Sequence, residues 1–196
     1  IKHYKGICAI YVDKAADLDM AVNLIVNAKA QRPGVCNAVE NLFIHKEIAE
    51  ELAEKLNPAC KEYAIEPICT EDCINLFDGA GAADEEDWYT EYLDLRLTIG
   101  TVDSLETAVD KIHTYGSAHS DAIITEDMTA AEDFLAKVDS SSVYHNTSTR
   151  FTDGGEFGLG AEIGISTDKI HARGPMGLEE LTSYKYVITS DGAVRT

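Results

Sequence analysis

Residues Ala28–Glu47, AKAQRPGVCNAVENLFIHKE, hold the transition on which the fold of this chain turns. Before it, Leu18, Ala21, Val22, Ile25 and Val26 recur at helical spacing, which predicts a helix from Asp17 to Lys29 with Asp17 as its N-cap. Pro33 and Gly34 break that helix, and one cysteine, Cys36, comes after the break. The apolar run Asn41–His45 then reads as a strand. Upstream, GICAIYV at Gly6–Val12 is a β-branched and aromatic run closed by Asp13 and Lys14, a second strand. Strand, helix, turn and strand in that order make a βαβ unit, which points to a parallel sheet.

The alternation continues along the chain. Helices are expected over His45–Leu56, ending before Asn57-Pro58, over Ser104–Tyr115 and over Asp127–Val138. Strands are expected over Tyr63–Cys69, Leu95–Thr101, Asp121–Thr125, Ser142–Asn146 and, in the tail, Ser183–Thr189. Glu71–Phe77 reads as a short helix or turn, and Thr152–Gly164 as a shaped, glycine-rich loop. Gly79-Ala-Gly-Ala-Ala lacks the GxGxxG register and a firm preceding strand, so it is expected to be an exposed loop and not a dinucleotide fingerprint. The fold class is therefore α/β, a three-layer αβα domain around a mainly parallel sheet.

The chain has 196 residues, 45% hydrophobic and 26% charged, enough for one sizeable domain, with no apolar run near the roughly 18 residues that span a bilayer. Its 35 acidic and 16 basic residues leave a formal charge of −19, which repels phosphate backbones and anionic lipid, so neither nucleic acid nor membrane is an expected partner. The acidic run Asp84–Asp87 reads as a solvated loop. Five cysteines at irregular spacing fit a reducing compartment such as the cytoplasm better than a disulfide framework. Cys69 and Cys73 stand four apart with no histidine pair nearby, so no metal site is expected. The N-terminus shows no signal-peptide pattern and begins without Met in what looks like a strand, as a processed or excised piece would.

Cys36 carries the open chemical question. A thiol at the start of a run of backbone amides, or at the positive end of a helix, is favoured as thiolate, and Arg32 adds a cation nearby. Most free cysteines are nevertheless packing residues, and the local pattern leaves both readings open. His45 and His119 are conceivable bases, although a packed or solvated histidine is the commoner outcome.

Three longer stretches carry more: AKAQRPGVCNAVENLFIH, TYGSAHSDAIITED and STRFTDGGEFGLGAEIGISTDKIHARGPMGLEELTSYKYV. In this order they resemble the γ-glutamyl phosphate reductase (glutamate-5-semialdehyde dehydrogenase) family of the aldehyde dehydrogenase superfamily, and only Lys55–Trp88 is unremarkable in that respect. The resemblance implies an aldehyde-dehydrogenase-like catalytic domain over residues 1–182 and a tail strand over 183–196 that supports subunit pairing. It also implies that an N-terminal cofactor-binding half is absent from this chain, and that these residues alone are inactive. In plants and animals the same module forms part of a bifunctional synthase of proline biosynthesis.

The cysteine of the family's QRPGVCNA motif is its catalytic thiol, and it matches Cys36. By resemblance the reaction is NADPH-dependent reduction of L-glutamyl 5-phosphate to L-glutamate 5-semialdehyde and phosphate through a Cys36 thioester, in a homo-oligomeric cytoplasmic enzyme. Glu91 matches the glutamate that binds the nicotinamide ribose, a task a carboxylate suits because it accepts from two vicinal hydroxyls. Asn146, Ser148, Thr149 and Arg150 match the loop that anchors the far end of the substrate, with Arg32 or Arg150 countering carboxylate or phosphate charge. Hydrolytic members of the superfamily activate water with a glutamate upstream of the nucleophile, and this chain has no Glu before Glu40. Two alternatives stay open: another phosphate- or CoA-linked semialdehyde dehydrogenase, or a non-catalytic domain that kept the fold.

Overall fold

The computed structural model describes residues 5–170 and 172–196; the first four residues of the opening stretch lie outside the described residues. Its centre is a seven-stranded sheet in the order β4-β3-β5-β2-β1-β6-β7, every neighbouring pair parallel. The strands are β1 (Cys8–Val12), β2 (Val39–His45), β3 (Glu66–Cys69), β4 (Gly81–Ala82), β5 (Arg96–Val102), β6 (Ser120–Ile124) and β7 (Ser142–His145). β1 and β2 are buried on both faces, which is why they read as nearly continuous apolar runs.

The helices α1 (Leu18–Ala30), α2 (Ala49–Tyr63), α3 (Leu105–Tyr115) and α4 (Met128–Lys137) cover the two faces. Period-two alternation divides the strands between two cores. Ile10, Val12, Leu42, Ile44, Leu97 and Ile99 pack with Ala21 and Ile25 of α1 and Leu52 and Leu56 of α2. Tyr11, Phe43, Val102 and Ile123 pack on the other side with Val109 and Ile112 of α3 and Phe134 of α4. Each fully buried Leu or Ile contributes about 1.5–3 kcal/mol, so the β1–β2 centre is the best-anchored part of the molecule. The three-layer α/β reading is what the structure contains.

Three local expectations are corrected. α2 does not stop at Asn57 but runs through Pro58 to Tyr63. Pro58 and Glu54, whose carbonyl loses its partner to the missing N–H, both face solvent, where water can replace the bond, while Leu56 and Cys60 hold the inner face. Gly81–Ala82 is not loop but a two-residue edge strand on β3. Ser183–Thr189 forms no strand: Tyr184, Tyr186, Val187 and Ile188 are all more than 75% exposed, because no neighbouring segment among the described residues offers a ladder of backbone partners. A short antiparallel pair, β8 (Gly164–Ser166) with β9 (Gly174–Met176), closes the glycine-rich loop instead.

Candidate active site

Cys36 lies in the turn between α1 and β2, and the residues around it come from the amino ends of four adjacent strands. Gly6 precedes β1, Val35–Ala38 precede β2, Glu91 precedes β5 and Ser117–His119 precede β6. Ligands of open parallel sheets usually sit at the opposite, carboxyl edge. Here the helices enter the site edge by their C-termini, and Cys36 comes after the end of α1. The nearest helix end is therefore a negative pole, not the positive one that would favour a thiolate.

The cysteine is half-buried, and the backbone behind it is very close. A Cβ on Gly6 would fall 2.0 Å from the Cys36 carbonyl oxygen, so only glycine fits there. The Gly6 amide donates to Glu91 Oε1 at 2.8 Å, which brings that carboxylate to the cysteine turn. The buried Cys8 thiol donates to the Cys36 carbonyl at 3.3 Å, and Cys8 Sγ lies 3.6 Å from His119 Nδ1. Burial pushes the Cys36 thiol up, and the charges of Glu162 and Glu91 push it further; its own backbone amide and Arg150 pull the other way. The expectation that main-chain amides would leave this thiol acidic is thus not met in the chain as it stands.

Asn37, to which no sequence motif drew attention, fixes the turn to the loop after β7. Its Nδ2 donates to the carbonyls of Thr152 at 2.9 Å and Arg150 at 3.4 Å, its Oδ1 accepts from the Arg150 guanidinium, and its own carbonyl accepts from Thr149 Oγ1 at 2.7 Å. Position next to a candidate nucleophile was the one signal that could have marked it. Arg150 also donates to Gln31 at 2.9 Å and feels the charge of exposed Arg32, so the two cations stand near one another.

The structure brings together Cys36, Glu91, Arg32 and Arg150, but sets others in different roles. The Ser148 hydroxyl is buried and caps the turn after it, and the buried Thr149 hydroxyl is taken by Asn37, so both support the loop. Asn146 is not brought to Cys36: it bonds both main-chain groups of Thr125, at the carboxyl end of β6. His45 lies at that same far edge, on the Asp103 carbonyl. His119 faces Cys8 and Ser120 rather than Cys36.

Beneath the turn, Lys29 at the end of α1 meets Glu40 on β2 at 2.6 Å, both side chains fully buried. Burial lowers the Lys29 pKa and lifts Glu40 to about 7 against their mutual attraction, and the contact closes the base of the loop that carries Cys36. All five cysteines are free, and among the described residues no group of three His, Cys, Asp or Glu side chains could hold a metal ion. No helix among them is long and apolar enough to cross a membrane.

No family model matches the chain. Curated relatives do: γ-glutamyl phosphate reductases of a Hydrogenobaculum species and of Aquifex aeolicus are each 55% identical over all of this chain and 46% and 47% of their own length. The chain thus spans about half the length of the curated relatives it matches. The crystal structure of γ-glutamyl phosphate reductase from Thermotoga maritima superposes with a TM-score of 0.93 at 46% identity, covering 98% of this chain and 47% of that one. An acetylating aldehyde dehydrogenase from Geobacillus thermoglucosidasius, 14% identical with a TM-score of 0.70 over 96% of this chain and 52% of its own, shares the fold. In sequence and in its aldehyde-dehydrogenase-like fold, this chain corresponds to about half of a γ-glutamyl phosphate reductase.

Proposed function

We propose that residues 1–182 are the catalytic, C-terminal portion of a γ-glutamyl phosphate reductase, which converts L-glutamyl 5-phosphate to L-glutamate 5-semialdehyde and phosphate in proline biosynthesis. The observation that carries this reading is the cysteine turn: a half-buried thiol backed by the Gly6 main chain, with the Glu91 carboxylate and the Arg150 cation both near enough to act on it. Cys36 Sγ bonds to the γ-carbonyl carbon, the bond from that carbon to the phosphate oxygen breaks, and phosphate leaves. Arg150 and Arg32 counter the charge of the anionic substrate. The Cys36 backbone amide is the donor this reading assigns to the oxygen that gains charge.

Glu91 spends Oε1 on Gly6 and keeps Oε2 for a ligand, which fits the ribose of a nicotinamide cofactor; no dinucleotide fingerprint accompanies it, so this chain would hold only that end. When bound, NADPH supplies the hydride that reduces the thioester carbon. Release of the aldehyde breaks the carbon–sulfur bond and returns the thiolate to Cys36.

The complete enzyme is a cytoplasmic homo-oligomer whose cofactor-binding half lies outside this chain, and the exposed Tyr184–Thr189 segment adds to a neighbouring subunit. The test is to join this chain to the remaining half, as in the Thermotoga maritima enzyme, and monitor phosphate-dependent NADP+ reduction by glutamate 5-semialdehyde. Turnover with phosphate is expected. Turnover that requires CoA instead would overturn the substrate assignment.

A further inference from the structure

The substrate proposed above presents three charged groups, and the cysteine turn answers only two of them. Arg32 and Arg150 suit the phosphate and the α-carboxylate. The α-ammonium needs an acceptor within a few bond lengths of the carbon that Cys36 attacks. Of the carboxylates near this part of the chain, Glu40 and Asp121 are fully buried and bonded elsewhere. Glu91 is held by Gly6 and faces the β5 side. Asp153 Oδ1 accepts from the amides of Gly155 and Glu156 and so builds the turn it sits in. Glu156 borders a shallow hollow with Arg150, whose charge is of the sign that would hold it there.

Glu162 is different. Its Oε2 accepts from the Gly154 amide at 2.8 Å, while Oε1 makes no hydrogen bond among the described residues and the side chain is exposed. Gly154 lies two residues beyond Thr152, whose carbonyl is bonded by Asn37, the neighbour of Cys36. A Cβ on Gly154 would stand 2.8 Å from both the Ala161 carbonyl oxygen and Glu162 Cβ, so the loop is pressed against itself there and the carboxylate has little freedom to drift. Glu162, Glu91 and Arg150 are charged groups that act on the Cys36 thiol, and of these three Glu162 acts most strongly. A carboxylate is thus held on the loop that Asn37 ties to the cysteine turn, separate from the glutamate held by Gly6.

We infer that Glu162 is the specificity-determining residue that receives the α-ammonium of the substrate, so that the site selects an α-amino acid acyl phosphate over a simple acyl phosphate of the same length. This rests on the reaction proposed above. The test uses the full-length reductase carrying this chain, with two substrates for phosphate-dependent oxidation: L-glutamate 5-semialdehyde, and 5-oxopentanoate, which lacks the α-ammonium.

Glu162→Gln keeps an oxygen for the Gly154 amide and removes the charge. It should lower kcat/KM for the amino substrate relative to 5-oxopentanoate roughly ten- to hundredfold, through KM, as expected for loss of a charge-assisted hydrogen bond; a change in the acidity of Cys36 acts on both substrates alike and cancels in that ratio. Glu162→Asp should recover part of the loss. An equal fall on both substrates would make Glu162 a loop support, and an unchanged KM would remove it from the site; either result overturns the inference. Wild-type enzyme that oxidises neither compound would instead overturn the reaction itself, and this assignment with it.

Discussion

The two edges of the same sheet use their polar residues in opposite ways. At the carboxyl edge Asp13 accepts from the Tyr11 and Thr125 hydroxyls at 3.0 and 2.9 Å and from the Ala15 amide at 3.1 Å. Asp17, Ser104 and Asp127 there cap the helices α1, α3 and α4. Helix N-termini converge on that edge, and carboxylates satisfy them. The amino edge receives helix C-termini, and it buries ionisable groups that solvent would stabilise better: Cys8, Lys29, Glu40 and Asp121. The candidate site proposed above lies on the edge where electrostatics is unfavourable, and close backbone packing with strong local charge is the kind of setting that holds and tunes a nucleophile.

The largest effect that could break this contrast is a pair of substitutions, one on each edge. In the full-length reductase, Cys36→Ala should abolish phosphate-dependent turnover. Asp13→Ala should cost about 2–3 kcal/mol in urea unfolding, for a buried acceptor lost by three donors, yet leave kcat within about a factor of two. Turnover surviving the first, or vanishing with the second in folded protein, would place the chemistry elsewhere. Next in size is the clip under the cysteine loop. Lys29→Met leaves Glu40 buried without its partner and should lower stability by about 3–5 kcal/mol, whereas Lys29→Met with Glu40→Leu should return most of it. A double variant no better than the single would show that the pair is not the origin of the loss.

Much of this architecture was legible in the residues. The β1–α1–β2 unit announces itself because both strands are buried on two faces and Asp17 supplies an explicit cap. Pro58 misled because a proline's cost depends on which face of the helix it occupies, and only the packed structure shows that it faces water. The tail misled for the opposite reason: its alternating apolar residues encode a strand, but a strand exists only where a partner does. At the site, Cys36 was found by resemblance and not by its surroundings. The local pattern left an amide-stabilised thiolate and a packing thiol both open, because direction of approach decides the field, and α1 arrives by its negative end. Asn146 and Thr149 stand close together in sequence yet serve opposite edges, because the chain from Asn146 to Thr152 returns from the carboxyl end of β7 to the amino end of β2.

Asp121 sharpens the contrast through pH. This buried carboxyl accepts from the Ala9 amide and from Ser140, and burial still lifts its pKa to about 7. The unfolded value is about 4, so the native state binds this proton more tightly than the unfolded state does. Its contribution is full below about pH 4 and is lost as pH rises to about 7. Asp121→Asn should flatten that slope and leave the variant more stable than the parent at pH 8 by up to about 4 kcal/mol. Urea midpoints at pH 4, 6 and 8 measure it. A parent whose stability rises across this interval while the variant's does not would reverse the assignment.

The smallest effect is the most direct reading of the site's own field, and it needs only the 196-residue chain. The other four cysteines are buried, so Cys36 should be alkylated first, with a rate that climbs through a midpoint above that of an ordinary cysteine. Glu162 and Glu91 both push that midpoint up. Glu162→Gln and Glu91→Gln should therefore each lower it, with the larger shift from Glu162. Arg150→Gln should raise it, since its cation is the one charge that favours the thiolate. A midpoint that ignores all three substitutions would mean that burial alone sets the acidity of Cys36, and the amino edge would then differ from the carboxyl edge in packing and not in field.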